Sequence, residues 1–306
     1  MDVVSTLSER AKALGFVAIG FLEPQRPPHF DQFLAWLARR KHGGLAWLDK
    51  NTELREHPEK LLEGCRAILS MAYPYPARRP ATPDGFTVAR YADPSREDYH
   101  LRLPSLCREM VKDLEEAFPG CRSRILVDSA PILERSIAHA SGLGFLGKNN
   151  LLIVPGHGSF LYLCEILTTA PLQFPPAETV DCLCGDCSRC LEACPAGALE
   201  SPFTLDVARC LSYLTVEHRG ELVLDAGSRM NGCFLGCDRC QEACPYNGPA
   251  EAVRISLPPA YEILAMDKQE FKRRFRKTAL ARAGIERLKR NIRAIQISGR
   301  RPSFPD

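Results

Sequence analysis

Hydrophobic residues follow two kinds of pattern along the chain, one with helical spacing and one of short continuous runs. The helical spacing predicts helices over residues 2–14, 30–39, 97–118 and 132–141. The apolar runs predict strands over residues 16–22, 67–73 and 124–128, and two more between residues 150 and 168 that are joined by a turn at Gly156-His-Gly158. Residues 76–85, rich in Pro and Arg, are a predicted loop. Helices and strands in this mixed order are typical of one α+β domain that reaches to about residue 175.

The pattern changes beyond that point. Three prolines between residues 171 and 179 predict a linker, and a cysteine-rich stretch follows it. After Pro249 the chain is predicted to be helical, with an apolar stripe on a basic helix formed by Ile285, Leu288, Ile292 and Ile295. We therefore expect three domains, at residues 1–175, 176–250 and 251–306.

Composition narrows the class of protein. The 306 residues are 45% hydrophobic and 25% charged, which is typical of a soluble globular chain and excludes disorder and fibrous repeats. No apolar run approaches the roughly 18 residues that span a membrane, and acidic residues at the N-terminus do not suit a signal peptide. We therefore expect a cytoplasmic protein without membrane contact, and a monomer.

Positive charge is concentrated near the C-terminus. Residues 268–301 contain thirteen Lys or Arg and two acids, so the formal net charge of +3 combines +11 there with −8 elsewhere. A solvated helix face would also be basic, but so local an excess favours contact with the phosphates of a nucleic acid.

Ten of the fourteen cysteines lie between residues 182 and 244. The run Cys184-Gly-Asp-Cys187-Ser-Arg-Cys190-Leu-Glu-Ala-Cys194-Pro195 has the C-x2-C-x2-C-x3-C-P spacing of bacterial two-cluster ferredoxins, and Cys237 to Pro245 repeats its second half. Structural zinc is the alternative, since C-x2-C pairs also bind zinc, but three cysteines at successive x2 spacing followed by Cys-Pro fit a cubane better. The segment is predicted to be a ferredoxin-like domain with two 4Fe-4S clusters.

The ligands follow from the rule that the cysteine before proline ligates the neighbouring cluster. The first cluster is assigned Cys184, Cys187, Cys190 and Cys244. The second is assigned Cys194, Cys237 and Cys240, with either Cys210 or Cys233 as the eighth ligand. Cys210 is favoured because Cys233 lies one residue too far from Cys237 for the regular turn. Cys182 and Cys233 are then structural thiols.

A ferredoxin-like domain alone would be an electron carrier, whereas some 180 residues precede the clusters here. Those residues contain a G-x-G-x-x-G string from Gly142 to Gly147, but it follows a helix rather than a strand. We interpret it as a glycine-rich turn and not as a dinucleotide site.

Several motifs occur together in one order, and their combination is specific. They are Val127-Asp-Ser-Ala-Pro131, Gly142-Leu-Gly-Phe-Leu-Gly-Lys-Asn149, Gly158-Ser-Phe160, the Cys184 run, Arg209-Cys-Leu-Ser-Tyr-Leu-Thr215 and Gly236-Cys-Asp-Arg-Cys-Gln-Glu-Ala-Cys-Pro245. From about residue 5 to 295 the chain resembles the epoxyqueuosine reductases, which use cobalamin and iron–sulfur clusters to complete queuosine in the tRNA anticodon. The match of Cys210 to the family's R-C-[IL]-S-Y-L-T element also identifies it as the eighth ligand.

The resemblance implies a nitroreductase-like α+β domain that holds cobalamin, a ferredoxin-like domain that reduces it, and a basic helical C-terminal segment. In the implied reaction, electrons from an external low-potential donor pass through two 4Fe-4S clusters to cobalamin, and the epoxide of epoxyqueuosine in tRNA becomes the alkene of queuosine. Asp128 matches the proton donor. Its apolar flanking residues would raise its pKa by desolvation. The alternative is an Asp that ends a strand and caps the next helix.

The other implied cobalamin contacts are spread along the chain. They are Arg55, Asp128, Leu152, Leu163, Ser212, Cys237 and Asp238. Tyr99 and His100 match a family D-Y-H element and are candidates for the substrate side, although a lone Tyr or His is more often a packed core residue. Two other functions stay open at this point, a corrinoid reductive dehalogenase acting on a small molecule and a non-catalytic iron–sulfur electron carrier.

Overall fold

The computed structural model describes residues 2–223, 225–249 and 251–299. The chain divides into two compact units: unit 1 comprises Met1–Pro74 and Tyr99–Cys187, and unit 2 comprises Tyr75–Asp98 and Ser188–Asp306. The helices are α1 (Val3–Ala13), α2 (Phe30–Ala38), α3 (Thr52–Glu56), α4 (Tyr99–Ala117), α5 (Glu134–Ala140), α6 (Arg189–Glu192), α7 (Leu211–Val216), α8 (Ala226–Met230), α9 (Arg239–Glu242), α10 (Ala260–Ala265), α11 (Lys268–Phe275), α12 (Leu280–Ala283) and α13 (Ile285–Ile297). The strands are β1 (Ala18–Leu22), β2 (Ala67–Pro74), β3 (Arg78–Ala81), β4 (Thr87–Val88), β5 (Ser123–Leu126), β6 (Phe145–Leu146), β7 (Leu152–Ile153), β8 (Leu161–Thr168), β9 (Leu199–Ser201), β10 (Thr204–Leu205), β11 (Cys233–Leu235) and β12 (Glu251–Ile255).

Unit 1 is built on an antiparallel sheet with the strand order β1-β2-β8-β5. The two central strands pair along their full length, from Ala67 opposite Thr168 to Pro74 opposite Leu161. Helix α5 packs against β2 and β8, while α4 packs against β5 and β8. Neighbouring residues of β2 such as Ile68 and Leu69 are both buried, although they point to opposite faces of the sheet. Burial of both faces explains why β2 has a continuous apolar sequence rather than an alternating one.

The predicted helices and strands of unit 1 are confirmed to within a few residues. The two strands predicted between residues 150 and 168 are β7 and β8, and they do not pair with each other as a hairpin. Strand β7 pairs with β6, and β8 joins the main sheet. Only a single bridge between Val154 and Gly158 closes the predicted turn. The predicted loop at residues 76–85 was wrong in part, since it contains β3.

Unit 2 contains a second sheet with the order β11-β4-β3-β12. The pairs β11–β4 and β12–β3 are both parallel, and they join residues 75–98 to segments more than 140 positions later. Residues 75–98 therefore lie in unit 2, whereas the pattern of the sequence placed them in the first domain. A strand of two or four residues leaves no periodic signal, and its partner cannot be inferred from local sequence.

The basic C-terminal helices are part of the core of unit 2. The four apolar residues of the predicted stripe on α13 are buried and belong to one cluster with Leu211, Phe234 and Leu235. The fully buried Asn291 donates from Nδ2 to the carbonyls of Thr215 and Phe234 at 2.9 and 2.8 Å. The stripe is thus confirmed, but the expected boundary at residue 250 does not separate these helices from the cysteine-bearing segment. In the described part of the chain no helix is long and apolar enough to cross a membrane.

Candidate active site and cluster-binding segment

Asp128 lies two residues after the end of β5, in a left-handed conformation with φ of 56° that Asp tolerates better than most residues. Its Oδ2 accepts a hydrogen bond from the hydroxyl of Tyr99 at 2.8 Å and lies 2.9 Å from Nε2 of His100. Tyr99 and His100 form the beginning of α4. The side chain of Asp128 is 50% exposed and that of His100 is 11% exposed, so the carboxyl group is the accessible member of the pair.

The alternative role of Asp128 as a helix cap is not what the structure shows. Helix α5 begins at Glu134, and its capping position is Leu133 without a side-chain cap. The structure brings Asp128, Tyr99 and His100 together, as expected if all three act at one site.

Glu134 is a site residue that the sequence did not reveal. Its Oε1 accepts a hydrogen bond of 2.6 Å from the backbone N–H of Asp128. Burial, followed by the charge of Asp128, raises the pKa of Glu134 to about 7. An acidic residue in the first turn of a helix is common on dipole grounds alone, so the sequence offered no specific signal.

A second acid lies deeper, on β8. Glu165 is fully buried and its Oε1 accepts a hydrogen bond from the hydroxyl of Ser70 at 3.3 Å. Its Oε2 has no hydrogen-bond partner among the described residues. Burial above all, and then the charge of Glu134, raises the pKa of Glu165 well above its usual value. Burial therefore favours the protonated, neutral form of Glu165.

Three other predicted contact residues lie in unit 1. Arg55 is buried, and its guanidinium donates to the backbone carbonyls of Trp47, Lys50 and Asn51. Burial lowers the pKa of Arg55. Leu152 is buried in the β6–β7 hairpin and Leu163 is half-buried on β8. Arg55 thus fixes the backbone before α3, which the sequence did not indicate, and a contact of these three residues with a corrin stays a prediction.

The glycine-rich string forms the β6–β7 hairpin. A Cβ at Gly144 would lie 2.1 Å from the carbonyl oxygen of Ile153, so only glycine fits at this position. The interpretation as a glycine-rich turn is confirmed. Lys148, at the end of this string, donates from Nζ to the carbonyls of Gly185 and Cys187 at 2.5 and 3.0 Å. Lys148 therefore supports the backbone turn that carries Cys184 and Cys187.

Most of the other predicted cluster ligands lie in unit 2. Helices α6 and α9, which contain Cys190 and Cys240, pack against each other. Burial, together with the charges of Cys210 and Cys194, raises the pKa of Cys240 to about 12. Burial above all also raises the pKa of Cys237 and of Cys210, and smaller contributions come from the charge of Cys210 on Cys237 and that of Cys194 on Cys210. Four thiols that repel one another when ionised are a donor set suited to iron, whose positive charge removes the repulsion.

The arrangement favours Cys210 as the eighth ligand. Cys233 lies on β11, and its thiol donates to the carbonyls of Leu235 and Gly236 at 3.5 and 3.6 Å. Burial above all raises the pKa of Cys237, and there the charge of Cys233 acts more strongly than that of Cys210, but Cys210 also acts on Cys240. Among the described residues, no three His, Cys, Asp or Glu side chains are grouped so that they could hold a metal ion in the structure as it stands. The full ligand set stays a prediction.

Two further predicted contacts belong to unit 2. Asp238 is 2% exposed, and its Oδ2 accepts the backbone N–H of Arg90 at 2.8 Å and lies 3.9 Å from the guanidinium of Arg79. Burial raises the pKa of Asp238 to about 6, although Arg79 opposes the shift. Ser212 is half-buried in the first turn of α7. Asp238, which belongs to the second cysteine run, thus contacts β3 through Arg79 and the segment after β4 through Arg90. The sequence did not indicate this structural role.

Comparison with known proteins agrees with this arrangement. The family described as "Epoxyqueuosine reductase QueG, DUF1730" matches residues 55–129, and the "4Fe-4S double cluster binding domain" matches residues 183–247. An epoxyqueuosine reductase of Cyclobacterium marinum is 32% identical over 95% of this chain and 96% of its own length. One of Synechococcus sp. is 37% identical over 80% of this chain and 76% of its own length.

Solved structures show the same fold. A crystal structure of epoxyqueuosine reductase with an epoxyqueuosine-modified tRNA stem loop has a TM-score of 0.85 at 28% identity, covering 97% of this chain and 81% of that one. A Bacillus subtilis structure, in which the catalytic aspartate loop is swung out of the active site, has a TM-score of 0.85 at 27% identity with the same coverage. On these likenesses, together with its cysteine runs and mixed helix–strand architecture, the chain belongs to the epoxyqueuosine reductase family.

Proposed function

We propose that this protein reduces epoxyqueuosine to queuosine in tRNA, with Asp128 as the proton donor. Two electrons and two protons enter, both carbon–oxygen bonds of the epoxide break, and the oxygen leaves as water. The observation that carries the proposal is the half-exposed carboxyl group of Asp128, whose Oδ2 lies within hydrogen-bond distance of both Tyr99 and His100.

The departing oxygen needs a proton, and the Asp128–His100 pair can supply and restore it. A protonated Asp128 donates to Nε2 of neutral His100, while an ionised Asp128 accepts from the hydroxyl of Tyr99 and from protonated His100. His100 therefore returns a proton to Asp128 after each transfer. Tyr99 keeps the carboxyl group oriented in both states.

The cofactors proposed are two 4Fe-4S clusters and cobalamin. The double-cluster domain match at residues 183–247 supports the clusters. Cobalamin, when bound, supplies the low-potential metal centre at which the substrate is reduced. Unit 1 fits such a group in one respect, because its candidate acid is accessible while His100 beside it is largely buried. The antiparallel sheet of unit 1 would be its nitroreductase-like scaffold, and Arg55, Leu152 and Leu163 are its proposed contacts there. Ser212, Cys237 and Asp238 are the contacts proposed from unit 2.

We further propose that the substrate is tRNA, that an external low-potential donor supplies the electrons, and that the protein is a cytoplasmic monomer. The tRNA stem loop bound in a related structure supports the first point. The relatives described above are epoxyqueuosine reductases at 32% and 37% identity, which favours this function over a reductive dehalogenase or an electron carrier.

The test is an anaerobic assay of cluster-reconstituted protein with cobalamin, a strong reductant and epoxyqueuosine-containing tRNA, with nucleosides measured by mass spectrometry. Wild-type protein should form queuosine, and Asp128→Asn should lower the rate by about 10²- to 10⁴-fold, the usual contribution of a general acid. Asp113→Asn, which removes the charge of a half-buried carboxylate paired with Arg10, is the matched control and should leave the rate unchanged. No queuosine from wild-type protein that holds its clusters and cobalamin would refute the proposal.

A further inference from the structure

Unit 2 contains a cavity that the proposed chemistry does not use. It has a volume of about 650 Å³ and is formed by α11, α12, the beginning of α13 and the segment after α7. Six cationic side chains and one acid, Glu286, line it. The cations are Arg219, Lys268, Lys272, Arg276, Arg287 and Arg290. We call this feature the basic cavity.

The floor of the basic cavity is apolar. Phe271 and Ile285 line it and are both buried in the core of unit 2. Lys268, Lys272, Arg276 and Arg219 are exposed at its surface. A ring of cations over an apolar floor suits an anionic group attached to an apolar or planar body, which is the chemistry of a nucleotide.

Two of the guanidinium groups are fixed before any ligand arrives. Arg290 donates to the carbonyls of Leu214, His218 and Gly220 at 2.7, 2.8 and 2.6 Å. Arg287 donates to the carbonyl of Val216. The last carbonyls of α7 and those of the segment after it thus hold both guanidinium groups in place, which lowers the entropy cost of binding an anion beside them. Arg290 also donates from Nε and Nη2 to the side-chain oxygen of Asn291, so its five N–H groups are engaged and it adds positive charge to the cavity.

The positive charge of the basic cavity is poorly compensated. None of the six cations forms an ion pair with another described residue, whereas Arg273 and Arg274 nearby are paired with Glu270 and Glu262. Burial and the neighbouring charge of Arg219 lower the pKa of Arg287, against the charge of Glu217, and burial and Arg287 lower that of Arg290. Like charges held this close are stabilised by an anion.

We infer that the basic cavity binds a backbone phosphate of the tRNA substrate, with the adjoining sugar or base against its apolar floor. This inference rests on the proposed function, because it takes the ligand to be RNA. It also divides the cations of the basic C-terminal segment into two groups, because only those that line the cavity contact this phosphate. The remaining cations contribute a diffuse field.

A matched pair of double variants tests this. Lys272→Gln/Arg276→Gln removes two cations of the cavity, and Lys289→Gln/Arg293→Gln removes the same two side-chain types from the same segment outside the cavity. Affinity for an unmodified anticodon stem-loop RNA is measured by fluorescence anisotropy over a series of salt concentrations, with melting temperatures as a check of folding. The cavity variant should bind roughly tenfold more weakly and lower the slope of log K against log salt by about 1 to 2, since each lost phosphate contact removes about one unit. The control should change both quantities much less.

Equal weakening by both variants, or no weakening by either, would overturn the inference in favour of a diffuse field. Inorganic phosphate and adenosine monophosphate serve as competitors to identify the source of the phosphate. If either binds the wild type more tightly than the stem loop does, and binding depends on Lys272 and Arg276, the cavity is a site for a free nucleotide or phosphate and the inference fails. If wild-type protein reduces epoxyqueuosine and the cavity variant binds RNA as tightly as the wild type, the inference about the cavity is refuted and the proposed function is not. Failure of the wild type to bind tRNA at all would refute the proposed function as well.

Discussion

The carboxylate of Glu134 accepts the backbone N–H of Asp128 at a distance of 2.6 Å. This bond spans the turn between β5 and α5 and fixes the left-handed residue on which the proposed acid chemistry depends. We therefore expect Glu134 to stabilise the conformation in which Asp128 meets Tyr99 and His100.

Glu134→Ala should lower the rate of queuosine formation by about tenfold or more, because it removes the acceptor that positions Asp128. Glu134→Gln keeps an acceptor oxygen at the same place and should retain the rate within about threefold. The measurement is single-turnover reduction at saturating tRNA. An equal loss of rate in both variants would indicate that the charge of Glu134 matters. If both variants kept the wild-type rate, the hydrogen bond from Asp128 would not position the acid.

Glu134 should also make stability depend on pH. Its pKa rises from 4.5 to about 7 on folding, so the folded protein binds this proton more tightly than the unfolded chain. The resulting stabilisation is fully present below about pH 4.5 and is lost as the pH rises through 7. Glu134→Gln should therefore match the wild type near pH 4 and be more stable at pH 8, by on the order of 1–2 kcal/mol after allowance for partial exposure. Thermal unfolding of the two proteins at both pH values measures the difference, and a gap that does not change with pH would contradict the assignment.

His100 and Tyr99 should fail in different ways. His100→Gln removes the group that returns a proton to Asp128, so it should lower the steady-state rate by about tenfold and abolish the limb of the pH–rate profile that reports the imidazole. Tyr99→Phe removes one hydrogen bond of 2.8 Å and should lower the rate severalfold without changing the shape of the profile. Identical profiles for both variants would argue against a proton relay through His100.

The choice between Cys210 and Cys233 can be decided by iron content. Cys210→Ser should lose about half of the iron after anaerobic reconstitution, since one of two clusters lacks a ligand. Cys233→Ser should keep both clusters, because its thiol is bound to backbone carbonyls on β11. Iron and sulfide analysis with electron paramagnetic resonance distinguishes the two, and the reverse result would exchange their roles.

Lys148 provides a separate test of the first cysteine turn. Lys148→Met removes the two hydrogen bonds to the carbonyls of Gly185 and Cys187 while keeping an unbranched side chain of similar length. We expect the first cluster to be lost more readily to a chelator, with the second retained. Lys148→Arg, which keeps donors, should resist better. Chelator-resistant iron equal to that of the wild type in Lys148→Met would show that the bonds are dispensable.

The sequence predicted most of what depends on local pattern. The stripe from Ile285 to Ile295 and the cysteine spacing are each defined within a short window. The stripe agrees with the structure, and the cysteine spacing agrees with the double-cluster family match. The pairing of β3 with β12 could not be predicted, because strands of four and five residues carry too little pattern to reveal a partner some 170 positions away. Glu134 escaped notice for a related reason: its contact with Asp128 depends on a left-handed turn that the sequence does not specify.

The parallel pairing of β3 and β4 with later strands has a consequence for how this protein can be divided or recombined. Unit 2 is assembled from two separate stretches of the chain, Tyr75–Asp98 and Ser188–Asp306, so no continuous fragment that starts at the cysteine motif contains all of it. Such a fragment would expose the edges of β11 and β12, and exposed edges invite pairing with other chains. A ferredoxin module could be exchanged between relatives of this fold only if residues 75–98 were exchanged with it.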